Sequence, residues 1–189
     1  GLFSVALALG AQNFFKNLIG GLLIIGEKRF KQGDWINIDG VAEGEVEKID
    51  FRSTLIRRFD KAPIFVPNSV LSDSEIINFS EMPFRRIRFN VGLIYQTTPE
   101  TILNIRKDIE DYVAKNDDLV NADEATTTIR VTQLNDSSID LLIYCFTKST
   151  RWYDFTKAKE DLILEIIRIV KNNGSDFAYP TQTIHLEKD

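Results

Sequence analysis

The first 26 residues, GLFSVALALGAQNFFKNLIGGLLIIG, contain one charged side chain, Lys16, in a 189-residue chain in which 27% of residues are charged. A stretch so poor in charge has to find apolar surroundings, in a protein core or in a bilayer. No initiator Met and no basic run precede it, so it does not read as an intact signal peptide. It reads as a hydrophobic element entered part-way. Gly1 to Ala11 would extend only about 16 Å as a helix, half of a bilayer core, so a full span calls for residues upstream.

At about 100° per residue, Leu2, Val5, Leu9, Gln12 and Lys16 share one narrow helical stripe. Ser4, Ala8 and Ala11 flank it on one side and Ala6 and Gly10 on the other, with Phe3, Leu7 and Phe14 at the back. Two small flanks admit close neighbours on two sides. A ring of such helices puts Leu2, Val5 and Leu9 on its axis and turns polar at Gln12 and Lys16, the profile of a pore with an apolar constriction. A buried core helix whose small residues merely ease packing fits the same pattern. Leu18 to Ile25 is apolar all round, holds Gly20 and Gly21, and follows polar positions at Gln12, Asn13, Lys16 and Asn17. We expect a break there and a second helix, buried or interfacial, bent from the first. Lys28, Arg29 and Lys31 then set three cations beside an apolar element, as at a cytoplasmic membrane face or in an ordinary solvated loop.

The rest of the charge lies in the remaining sequence. A net charge of −5 argues against nucleic-acid binding through overall charge. The single cysteine, Cys145, and the single histidine, His185, form neither a disulfide nor a zinc-ligand set, and no cofactor motif is present. Cys145 lies in the apolar run LLIYCF, the setting of a buried inert thiol. From Trp35 to Pro67 the segments WINI, GEVEKID, STLIRRF and IFVP are short strands separated by turns, which predicts a small β-barrel. Ile36, Ile38, Val46, Ile49, Leu55 and Phe65 are expected inward and Trp35 outward. Asn68 to Phe79 is a polar connection anchored by Leu71, Ile76 and Ile77.

Ile87, Phe89, Val91 and Leu93 alternate with Arg86, Arg88 and Asn90 in a strand. Thr98 caps a helix with Pro99 at its first position, an inner face of Ile102, Ile105, Ile109, Tyr112 and Val113, and an end near Asn116. Strands Thr126 to Leu134 and Ser138 to Lys148 follow, then a helix from about Asp154 to Asn172 stopped by Gly174. Phe155, Ala158, Leu162, Ile166, Ile169 and Val170 form its inner face. With a last strand at Thr181 to Lys188, the order is ferredoxin-like.

LALGAQNFFKNLIGGLLIIGEKRFKQGDWI, together with Gly40, Gly44 and Val46, Val66 to Ser69, Ile76 to Ser80, Arg85-Arg86 and Ala178 to Gln182, resembles the small-conductance mechanosensitive channel (MscS) family throughout the chain. The resemblance implies a membrane α-helical pore segment followed by an α+β cytoplasmic region. Residues 1–26 would be the pore-helix end, 27–82 an Sm/SH3-like β-barrel, 83–180 a ferredoxin-like α/β domain, and 181–189 a strand joining an oligomeric barrel. It further implies a homoheptamer in the bacterial inner membrane, in contact with lipids and releasing ions and small osmolytes on hypo-osmotic shock, with residues 27–189 cytoplasmic and no nucleic-acid partner. The gate falls on Val5 and Leu9, with Leu2, Gln12 and Lys16 lining the pore. Ala6, Ala8, Gly10, Asn13, Gly20 and Gly21 are the helix-packing and hinge positions, and Lys28, Arg29 and Lys31 face the membrane. Where the family's kink has glycine this chain has Asn13, which moves the hinge there or to Gly20-Gly21. The competing reading is a soluble RNA- or metabolite-binding module, with Arg57, Arg58, Arg85, Arg86 and Arg88 as its basic surface.

Overall fold

The computed structural model describes residues 1–180. They fall into two compact units, divided between Met82 and Pro83. The expected terminal strand, with His185, lies outside the described residues.

The first unit opens with helix α1, Leu2–Glu27, which Lys28 ends in the left-handed region at φ 53. Strands β1 (Trp35–Ile38), β2 (Ala42–Ile49), β3 (Ser53–Arg57) and β4 (Pro63–Pro67) follow. Helix α2 (Asn68–Asp73) and strand β5 (Ile76–Asn78) complete it, before a single 3-10 turn at Phe79–Glu81. The five strands pair antiparallel in the order β4-β3-β2-β1-β5. Ile36, Ile38, Val46, Ile56, Val66 and Leu71 make the core, closed by Ile24 from α1 and Phe30 from the loop after it.

Both inward positions expected on β3 and β4 are reversed. Leu55 and Phe65 are cross-strand partners on the outer face, and Phe65 is 65% exposed. Their neighbours Ile56 and Val66 are buried instead. The cause is Thr54, whose fully buried hydroxyl donates to Asn68 Oδ1 at 2.9 Å. Side chains alternate with period two, so fixing Thr54 inward sends Ile56 inward and Leu55 out. A β-bulge between Val46 and Lys48 shifts the pairing so that Ile49 lies opposite the inward Thr54. Ile77, expected as an anchor, also faces out because it pairs with the outward Asn37. The connection read as merely polar is ordered structure, α2 and β5, in which Leu71 is buried as expected.

The second unit contains β6 (Arg85–Leu93), α3 (Pro99–Lys115), β7 (Thr128–Leu134), β8 (Ile139–Thr147) and α4 (Trp152–Asn172), with strand order β6-β8-β7. Thr98 caps α3, accepting a hydrogen bond from the Thr101 amide at 3.2 Å, and Pro99 takes the first turn, where its missing N–H costs nothing. Ile105, Ile109 and Val113 from α3 meet Phe155, Leu162, Ile166 and Val170 from α4 over Ile87, Leu93, Leu141 and Ile143 of the sheet. Gly174, at φ 71, ends the turn after α4. Phe177 bridges Leu93 in antiparallel fashion.

Candidate functional site

α1 has 26 residues, about 39 Å of helix, enough to cross a hydrocarbon core. Little of its apolar length is buried by the rest of the chain. Leu2, Val5 and Leu9 are 92%, 58% and 66% exposed. Gln12 and Lys16 continue the same stripe and are also exposed. Phe3, Leu7 and Phe14 at the back are equally open, so the chain covers neither face of this half of the helix. Ala6, Ala8 and Gly10 are exposed, and a Cβ added at Gly10 would meet nothing within 4 Å. A lone helix in water would not keep this much apolar surface bare.

The lower half of α1 is seated. The break expected over Gln12 to Asn17 is absent, and α1 runs through Asn13 and Gly20-Gly21 as one uninterrupted helix. Asn17 explains this: its Nδ2 donates to the Asn13 carbonyl at 2.8 Å, one turn back, so its amide reinforces the helix. Its Oδ1 accepts from the Ser69 amide at 3.0 Å and the Ser69 hydroxyl at 2.9 Å, fastening α1 to α2. Gly20 and Gly21 lie against Asn68. A Cβ at Gly20 would stand 2.7 Å from the Asn68 carbonyl oxygen, and one at Gly21 2.7 Å from its Nδ2. Only hydrogen permits this approach.

Asn68 is the centre of the seat. It is fully buried, and its amide is satisfied on every side: Thr54 donates to Oδ1, Nδ2 donates to the Asp50 carbonyl at 2.8 Å, and its backbone N–H donates to Arg52 O at 2.9 Å. A buried polar network satisfied in this way fixes one geometry, because moving any member strands a polar group. Sequence reasoning missed Asn17, Thr54 and Asn68 as a group. The signals were present as a polar residue among inward strand positions and a Pro-Asn-Ser run facing a Gly-Gly pair, but Asn17 and Ser69 lie 52 residues apart.

The basic trio divides. Arg29 pairs with Glu27 and donates to the Ser72 carbonyl at 2.9 Å, so it braces the end of α1 against α2. Lys28 and Lys31 are exposed, and their side chains have no partner among the described residues. The buried carboxylate of Asp34 shapes this loop, accepting from the Lys31 amide at 3.0 Å and Asn78 Nδ2 at 2.9 Å. Burial pushes the Cys145 thiol up to about 12, which makes it a poor nucleophile at neutral pH. Among the described residues no group of three or more His, Cys, Asp or Glu side chains could hold a metal.

Comparison with known proteins converges on one family. Residues 13–81 match the mechanosensitive ion channel β-domain, and residues 87–177 match the C-terminal region of the mechanosensitive ion channel MscS. The low conductance mechanosensitive channel YnaI of Escherichia coli is 33% identical over 188 residues, covering 99% of this chain and 54% of its own. The small-conductance channel MscMJ of Methanocaldococcus jannaschii is 35% identical over 189 residues, covering 100% and 53%. The chain thus spans about half the length of these curated relatives. The crystal structure of Helicobacter pylori MscS in its closed state superposes with a TM-score of 0.80 at 26% identity, covering 100% of this chain and 72% of that one.

Proposed function

Because the chain belongs to the MscS family of mechanosensitive ion channels, we propose that it is the pore-helix end and cytoplasmic region of one subunit in a tension-gated channel. The observation that carries this reading is the upper half of α1, which is bare, apolar and flanked by small residues. Copies packed side by side, in a ring of seven, cover the flanks at Ala6, Ala8 and Gly10 and leave Leu2, Val5, Leu9, Gln12 and Lys16 around the axis. Phe3, Leu7 and Phe14 face outward, toward lipid or upstream helices. Rings of Val5 and Leu9 then exclude water, and ions with it, without any charged filter.

Tension favours the state of larger in-plane area, in which the helices slide along their small flanks and the apolar ring widens and wets. The seat at Asn17, Gly20 and Gly21 holds the lower half of α1, so the upper half pivots above it, near Asn13. Lys28 and Lys31 sit at an anionic membrane face. Ions and small osmolytes pass on hypo-osmotic shock. On this reading the first unit from residue 27 is an Sm-like barrel and residues 83–180 a ferredoxin-like domain, both part of a cytoplasmic vestibule at the inner membrane. A soluble RNA- or metabolite-binding module would leave the bare helix without purpose.

Patch-clamp recording of the full-length protein tests the gate. Leu9→Ser is expected to lower the opening tension or leave a leaky pore, and an unchanged threshold removes Leu9 from the gate. Native mass in mild detergent tests the ring: the present chain should run near seven times 21.6 kDa.

A further inference from the structure

The sheet of the second unit carries α3 and α4 on one face and opposite charges at its two sides. We propose that its other face seats a second copy of the chain, the basic side of β6 in one subunit receiving the acidic 117–124 loop of the next. This inference rests on the subunit reading above and adds how neighbours recognise each other.

Arg86 and Arg88 alternate with the core residues of β6, so they project from the sheet face away from the core; both are exposed and neither has a side-chain partner among the described residues. Their register partners on β8 are Phe146 and Tyr144, half-buried rings in edge-to-face contact at 5.4 Å. The face therefore offers an aromatic floor beside two unpaired guanidinium groups, a combination enriched in protein interfaces.

On the other side of β8, the Val120 amide donates to the Phe146 carbonyl at 2.9 Å and Leu119 bridges Thr147. These bonds hold a loop in which Asp117, Asp118, Asp123 and Glu124 are all exposed, with no side-chain partner among the described residues. The four carboxylates outnumber the neighbouring Lys115 and Lys148. Arg130, the cation of β7 nearest to them in sequence, is occupied by Glu110 at 2.7 Å. Arg86, Phe146 and Val120 thus form one row across the sheet, free cations at one end and free carboxylates past the other, about two strand spacings or 10 Å apart. A two-fold contact with its axis along this row would set arginines against arginines, a disfavoured like-charge juxtaposition, and one with its axis across the row would pair both ends at once and stop at a dimer. Repeating the chain head to tail instead brings acid to base at every junction, the kind of contact that closes into a ring.

The test uses the full-length protein in mild detergent. R86E/R88E should lower the ratio of oligomer to separate subunits by about tenfold or more, and adding D117K/D118K should restore it. Wild-type assembly by R86E/R88E overturns the proposal, as does loss that D117K/D118K fails to rescue. As an independent check, R88C/D118C treated with copper phenanthroline should give a ladder of covalent multimers that neither single variant gives, because buried Cys145 contributes no background; absence of the ladder counts against the contact. If poly(U) binds the wild type and not R86E/R88E while the oligomer is unchanged, the face serves a polyanion and not a neighbour. A monomeric wild type removes the subunit reading and this contact together, whereas an oligomeric wild type with intact R86E/R88E assembly removes the contact alone.

Discussion

Helices α1 and α4 use apolar residues in opposite ways. In α4, Phe155, Ala158, Leu162, Ile166, Ile169 and Val170 lie on one stripe and all six are buried in the chain's own core. α1 is far more apolar, yet its buried residues are only Gly20, Gly21 and Ile24, all in its last eight positions. Burial within the chain therefore runs opposite to hydrophobicity. α4 covers one full stripe and leaves Ile163, Leu164 and Ile167 open beside it, whereas the upper half of α1 has no covered stripe at all.

That contrast breaks most readily at matched leucines. Leu162→Ala should cost about 2–5 kcal/mol in unfolding of the full-length protein in detergent, because it empties a fully buried site. Leu9→Ala removes the same atoms from an exposed site and should change unfolding of the cytoplasmic units by less than about 0.5 kcal/mol. Equal effects would abolish the distinction. The seat should behave as core although it lies on α1: Gly20→Val is expected to cost about 1–3 kcal/mol, since the new side chain meets backbone that cannot swing aside. Thr54→Val keeps the shape but leaves Asn68 Oδ1 without its donor, for about 1–3 kcal/mol by the same assay. The smallest effect is chemical: Cys145 should resist maleimide in the folded protein at neutral pH and react fully after denaturation, and fast labelling of the native chain would place β8 outside the core.

The second unit was legible because its signals are local. Thr98-Pro99 announces a helix start within four residues, and the inner face read from the period of α4 coincides with its buried residues. The first unit was legible only where alternation was free of long-range bonds. Ile36, Ile38 and Val46 are buried as their pattern demands, but Leu55 and Phe65 reversed because Thr54 is pulled inward by Asn68, 14 residues away. The seat on α1 was harder still, since Asn17 and Ser69 are 52 residues apart and each alone is an ordinary polar residue. Asn17 misled in particular: a side-chain amide in an apolar helix suggests a break until its partners are known, and here it bonds its own helix and the next.

The amide of Asn17 works as an angular key. Its nitrogen is spent on α1 itself and its oxygen on α2, so the helix cannot turn about its own axis without losing the contacts to Ser69. Every residue above inherits its azimuth from that lock. One residue inserted between Lys16 and Asn17 would leave composition, length and hydropathy almost unchanged, yet it would rotate Leu9 by about 100° away from its direction. The pore proposed above would then be lined by a different set of side chains, written in the same letters and read out of phase.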